Sequence, residues 1–129
     1  MAAMMPVTLL YAGVLALLAV LLANQVLYVR LRGGREPDWR ANATERVQAN
    51  FVENVPLALV LLYLVEVGGA GATAVHVLGS LLVLCRVLHA WGMSRNAGAN
   101  YPRLIGAQGT FLLMSVLGVG AIYLFALGA

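Results

Sequence analysis

Four long apolar runs determine what this chain of 129 residues can fold into. Because the hydrocarbon core of a bilayer is about 30 Å thick, a spanning α-helix needs about 20 apolar residues. The predicted helices run from Val7 to Val29, from about Asn42 or Thr44 to Val67, from about Thr73 to Met93 and from about Arg103 or Leu104 to Leu127. We therefore predict an all-α membrane protein, a four-transmembrane-helix bundle that forms a single domain over residues 1–129.

Charged residues are scarce and unevenly placed. They make up 10% of the chain, against roughly 25% of a soluble domain, so this surface is too apolar for water. All eight basic residues are arginines, and seven of them lie in or beside the two loops that join helix one to two and three to four. The opposite side has only Glu66, which we expect to be solvated. The positive-inside rule then places both loops in the cytoplasm and both chain ends outside, without any need for nucleic acid as a partner.

The first turns of the second predicted helix contain polar residues, and these recur at helical spacing. Arg46, Asn50 and Glu53 are spaced i, i+4, i+7, so they share one face of the helix. Ionisable groups inside spanning helices are costly and usually face a bundle interior or a water-filled cavity. This pattern therefore indicates either a structural network or a ligand site.

The third helix carries a matching pair, Arg86 and His89, on one face. One interpretation is a buried Arg86–Glu53 pair that fixes helix register with Asn50. The other is a pocket for an anionic ligand, in which Arg46 and Arg103 take part as well. The chain has no histidines or carboxylates at the helical spacing that a metal site needs, so we predict no metal.

With these residues in place, the sequence resembles the MAPEG proteins, which are membrane-associated proteins in eicosanoid and glutathione metabolism. The resemblance rests on R-x-x-x-N-x-x-E, present as Arg46, Asn50 and Glu53, with Pro56 after it. Supporting residues stand in matching places: Arg30 and Arg32 at the end of helix one, Arg86-x-x-His89 on helix three, and Arg103 at the start of helix four.

The resemblance implies a homotrimer in the bacterial inner membrane that binds glutathione between subunits near the cytoplasmic face. It implies that Arg103 is catalytic and stabilises the glutathione thiolate. The implied glutathione-binding residues are Arg30, Arg46, Gln48, Asn50, Glu53, Arg86 and His89. The activity would be that of a transferase or peroxidase acting on a hydrophobic small molecule that arrives through membrane lipid.

Two departures leave an alternative open. Several family enzymes have tyrosine after the motif glutamate, where this chain has Asn54, and Met93 replaces another family tyrosine. Glutathione binding tolerates these changes more easily than eicosanoid synthesis does. The alternative is a non-catalytic membrane protein that keeps the fold around a structural, buried Arg-Glu-Asn network.

Overall fold

Four helices make up the chain in the computed structural model, which describes residues 4–33, 43–95 and 101–128. They are α1 (Thr8–Leu31), α2 (Ala43–Val67), α3 (Ala72–Arg95) and α4 (Tyr101–Gly128). All four are long and apolar enough to cross a membrane. The predicted all-α bundle of four spanning helices is confirmed. Two arginines of the predicted orientation signal, Arg35 and Arg40, lie outside the described residues.

Glycine and proline set the ends of these helices. Gly69 follows α2 with a φ of 113°, a conformation that glycine adopts without steric cost. The N–H of Ala70 donates to the carbonyl of Val65 at 3.0 Å, and that of Gly69 donates to Glu66 at 3.1 Å. This is the Schellman arrangement that closes a helix. At the start of α4, Pro102 occupies the first turn, where a missing N–H leaves no helical bond unmade.

Like α3, helix α2 contacts the other three helices. Its buried positions include Val47, Phe51, Val55, Ala58 and Leu62, which recur every three or four residues. Many leucines and valines on the outer surfaces of the helices are exposed. An apolar core inside and an apolar surface outside are what a bundle in a bilayer requires.

Antiparallel packing gives the bundle two distinct ends. The arginine end contains Arg30, Arg46, Arg86 and Arg103, from the C-terminal parts of α1 and α3 and the N-terminal parts of α2 and α4. The glycine-turn end contains the start of α1, the 68–71 turn and the start of α3. Each end has its own set of polar contacts, and the two sets differ in kind.

At the glycine-turn end, the carboxylate of Glu66 caps the first turn of α1. It accepts hydrogen bonds from the N–H of Val7, from the N–H of Thr8 at 2.9 Å and from the hydroxyl of Thr8 at 2.6 Å. Glu66 remains partly exposed, so these bonds add an acceptor role to a carboxylate that we expected to be solvated. The first N–H groups of a helix have no partner within it, and a carboxylate is favourable there, so packing of α1 against α2 brings the side chain to them.

A second contact at this end joins α1 to α3. The hydroxyl of the buried Tyr11 lies 2.7 Å from His76 Nδ1 and 3.1 Å from Ser80 Oγ. The Tyr11 ring occupies the space beside Gly79, where an added Cβ would come within 2.5 Å of the ring. The polar groups of the glycine-turn end thus hold one helix to another.

Candidate functional site at the arginine end

The three motif residues of α2 share a face that turns away from the subunit core. Arg46 and Glu53 are exposed, and Asn50 is half-buried. Because successive residues advance about 100° around an α-helix, the three lie within an arc of about 60°. The buried side of α2, which includes Phe51, points in a different direction. We call the surface formed by Arg46, Asn50 and Glu53 the outer polar face.

Arg86 lies behind this face, inside the bundle, with 2% of its surface exposed. Its Nη2 donates to Asn50 Oδ1 at 2.7 Å, and its Nη1 donates to Thr110 Oγ1 at 3.3 Å. The guanidinium carbon lies 5.8 Å from the centre of the Phe51 ring. Arg86 therefore links α3 to both α2 and α4. Its Nε is buried and has no hydrogen-bond partner among the described residues.

The structure does not form the predicted Arg86–Glu53 pair. Asn50 lies at the edge of the outer polar face that is nearest the core, and it accepts the hydrogen bond from the guanidinium of Arg86. Glu53 lies at the opposite edge of that face and is exposed. The hydrogen bond from Arg86 to Thr110 was not predicted, because a single threonine in an apolar helix does not indicate a polar contact. Its hydroxyl also donates to the carbonyl of Gly106 at 2.7 Å, as threonines inside helices commonly do. The buried network is thus Arg-Asn-Thr, which corrects the expected Arg-Glu-Asn network.

His89 and Arg103 meet where α3 packs closely against α4. The imidazole is 4% exposed, and its Nδ1 lies 3.4 Å from the backbone carbonyl of Arg103. Since a carbonyl only accepts, Nδ1 carries the proton in this contact. Gly106 makes the approach possible, because an added Cβ would lie 2.5 Å from the backbone N of His89. The side chain of Arg103 is half-buried at the start of α4.

The remaining predicted residues lie at the margin of the arginine end. Arg30 is exposed and forms an ion pair with Glu45 at 3.4 Å, which joins α1 to α2. Gln48 is half-buried but lies about 200° around α2 from Arg46, so it does not share the outer polar face. Asn54, which replaces a family tyrosine, donates from Nδ2 to the carbonyl of Asn50 at 2.8 Å. The structure therefore groups Arg46, Asn50 and Glu53 and separates Gln48 from them.

In the part of the chain that the structure describes, no three histidine, cysteine or acidic side chains lie close enough together to hold a metal ion. What the arginine end offers instead is a set of hydrogen-bond donors and fixed charges. This set suits an anionic or zwitterionic organic ligand.

Comparison with known proteins identifies the family to which this arrangement belongs. The model of the MAPEG family matches residues 8–123, which is most of the chain. This chain is a member of the MAPEG family. The match includes the outer polar face, Arg86, His89 and Arg103, so the resemblance seen in the motif extends through all four helices of this MAPEG protein.

Similarity to individual curated proteins is more limited. The inner membrane protein YecN of Escherichia coli (strain K12) is 38% identical over 47 residues, which cover 36% of this chain and 36% of YecN. The protein of the same name from Escherichia coli O6:H1 matches to the same extent. The match thus spans about a third of either relative's length. No solved structure matches this MAPEG chain significantly.

Proposed function

We propose that this protein binds glutathione and acts as a glutathione transferase or peroxidase on lipophilic electrophiles. The observation that carries the proposal is the outer polar face, on which Arg46 and Glu53 are exposed beside the amide of Asn50. Glutathione has two carboxylates, one ammonium group and a thiol. A guanidinium group can bind a carboxylate through two parallel hydrogen bonds, and Glu53 can accept from the ammonium group. Both charge signs of the ligand therefore have a counterpart on one helix face.

The same face favours assembly from several copies. A charged side chain deep in a bilayer costs about 3 kcal/mol on insertion scales, so Glu53 needs polar surroundings. A neighbouring subunit, with glutathione between the two copies, would supply them. We propose the homotrimer that the family resemblance implies, with Arg30 and Gln48 at the edge of each site. A monomeric or dimeric mass in gentle detergent would argue against this assembly.

We assign the chemical step to Arg103. It lies in the first turn of α4, where the helix N-terminus adds positive potential. A free thiol has a pKa of about 8.5, and a nearby cation or helix N-terminus lowers it. The thiolate sulfur would attack an electrophilic carbon and form a C–S bond while the leaving group departs with its electron pair. With a hydroperoxide, the thiolate would attack the O–O bond and release an alcohol, and a second glutathione would convert the resulting sulfenic acid to glutathione disulfide and water.

We also propose a location and an orientation. YecN is named an inner membrane protein, and we extend that location to this chain. The excess of arginine on one side favours a cytoplasmic arginine end with both chain ends outside. The lipophilic substrate would then enter from the bilayer, and glutathione from the cytoplasm. A reporter fused after Ala129 should be active only on the outer side of the membrane; activity in the cytoplasm would reverse the orientation.

A non-catalytic role is the second candidate, and a specific observation favours it. Arg86 donates to both Asn50 and Thr110 within the subunit, so this network can serve packing alone. A protein of this kind would keep the fold and lack turnover. The two candidates differ in whether bound glutathione is ionised.

Titration calorimetry of the detergent-solubilised protein with glutathione is the decisive experiment. The proposal requires saturable binding together with the ultraviolet absorbance of a thiolate at neutral pH. Arg103→Ala should keep most of the binding and lose the thiolate signal, and Arg103→Lys should restore it in part, because lysine keeps the charge but not the planar fork. Binding without a thiolate signal in the unmodified protein would favour the non-catalytic role. Absence of binding would overturn both the transferase and the peroxidase proposal.

A further inference from the structure

Asn50 has a defined amide orientation, because its partner fixes which end of the amide points inward. A guanidinium group only donates hydrogen bonds, so the atom that lies 2.7 Å from Arg86 Nη2 has to be the oxygen Oδ1. The backbone carbonyl of Asn50 is occupied as well, by the side chain of Asn54 at 2.8 Å. Both oxygens of Asn50 are therefore engaged within the subunit. Its Nδ2 is the group that the amide can offer to the outer polar face.

Arg86 is too deep to touch a ligand on that face. It is 2% exposed, and it is held on its other sides by Thr110 and by the ring of Phe51. Thr110 itself is fully buried, so the contact from α4 is equally remote from the surface. The effect of Arg86 on a ligand must then pass through the residue that separates the two, which is Asn50.

We propose that Arg86 is a positioning residue that presents Asn50 as a hydrogen-bond donor, so that the outer polar face selects a ligand acceptor at this point. The acceptor would be a carboxylate or a peptide carbonyl. This inference rests on the proposed function, in which glutathione occupies that face. It assigns Arg86 a role different from the carboxylate-binding role that the resemblance implied.

A double-mutant cycle on glutathione binding separates an indirect role of Arg86 from a direct one. The variants are Arg86→Met, Asn50→Leu and the two combined, each measured by titration calorimetry in detergent. Hydrogen bonds to charged groups contribute about 1.5–3 kcal/mol, so each single variant should raise the Kd by roughly tenfold to a hundredfold. If Arg86 acts through Asn50, the double variant should match Asn50→Leu alone. Losses that multiply would mean a direct contact with the ligand and would overturn the inference, as would an unchanged Kd in Arg86→Met.

A second variant keeps the inference testable if Arg86→Met does not fold. Asn50→Asp retains an oxygen for Arg86 and adds an opposite charge, but it removes the Nδ2 donor. We expect an unligated thermal midpoint no lower than that of the unmodified protein, together with a Kd raised at least about tenfold. A residue that served packing alone would leave the Kd unchanged, and that result would overturn the inference.

Thr110→Val provides the matched control. Valine has nearly the shape of threonine, and it removes one hydrogen bond from the same guanidinium on the side away from the outer polar face. We expect a lower thermal midpoint with a Kd within about threefold of the starting value. A loss as large as that of Asn50→Leu would mean that general disorder of the network, and not amide orientation, weakens binding. Failure of the unmodified protein to bind glutathione is a separate result, which would overturn the proposed function itself.

Discussion

At the glycine-turn end, the carboxylate of Glu66 and the hydroxyl of Tyr11 bond from one helix to another. At the arginine end, Arg46 and Glu53 are exposed on the outside of α2, and the inward contacts belong to Asn50 and Arg86. Polar groups at the first end bond within the subunit, whereas Arg46 and Glu53 at the second lie exposed on its outside. Polar groups in spanning helices thus have two uses, and the direction in which they point distinguishes them.

The largest expected effect is on binding at the arginine end. Arg46→Ala should weaken glutathione binding by about 2–5 kcal/mol if the charge pair is desolvated in the assembled site. The thermal midpoint without ligand should change little, since Arg46 is exposed in the subunit. Arg32→Ala is the control, because Arg32 is also exposed at this end but contacts Tyr28 of its own helix at 2.9 Å. Equal losses of binding in both variants would show that general positive charge, and not the outer polar face, attracts the ligand.

The converse change is made at the glycine-turn end. Glu66→Ala should destabilise the fold by roughly 2–3 kcal/mol, because the first turn of α1 loses its acceptor. Thermal unfolding in detergent measures this, and calorimetry should find glutathione binding retained by the folded fraction. If Glu66→Ala kept its thermal midpoint but no longer bound glutathione, the glycine-turn end would serve binding and not stability, which would contradict the distinction between the two ends.

A glycine pair tests how closely helices approach at the glycine-turn end. Gly79→Ala should lower stability by about 1–3 kcal/mol, because the added Cβ would come within 2.5 Å of the Tyr11 ring. Gly118→Ala on α4 is the control, since nothing lies within 4 Å of an added Cβ there. Because alanine has a higher helix propensity than glycine, Gly118→Ala should raise the free energy of unfolding by up to about 1 kcal/mol. Opposite shifts of the two thermal midpoints support the described packing, and a neutral Gly79→Ala would contradict it.

The smallest expected effect concerns the exposed ion pair. Arg30 and Glu45 have side chains that are 69% and 52% exposed, so Glu45→Gln should change stability by about 0–1 kcal/mol, and less at high salt. Thermal midpoints at low and high salt check this. A drop as large as that of Glu66→Ala would mean that the arginine end also relies on its charges for stability.

Sequence reasoning captured the helices and the outer polar face for physical reasons. Helix length follows from bilayer thickness, and the common face of Arg46, Asn50 and Glu53 follows from helical period. The hydrogen-bond partners of Arg86 could not be predicted from the sequence. The helical repeat shows which residues share a face, but it does not show which neighbouring helix that face contacts. The capping role of Glu66 did not follow for the same reason: it depends on where α1 begins relative to α2.

The cap on α1 has a consequence for how this protein is made. Glu66 serves backbone groups at Val7 and Thr8, which precede it by 59 and 58 residues. When α1 first enters the bilayer during synthesis, its leading turn must keep its N–H groups in contact with water or lipid headgroups. Only the arrival of α2 supplies their lasting acceptor. The first turn of α1 is therefore fully capped only once α1 and α2 have formed a hairpin.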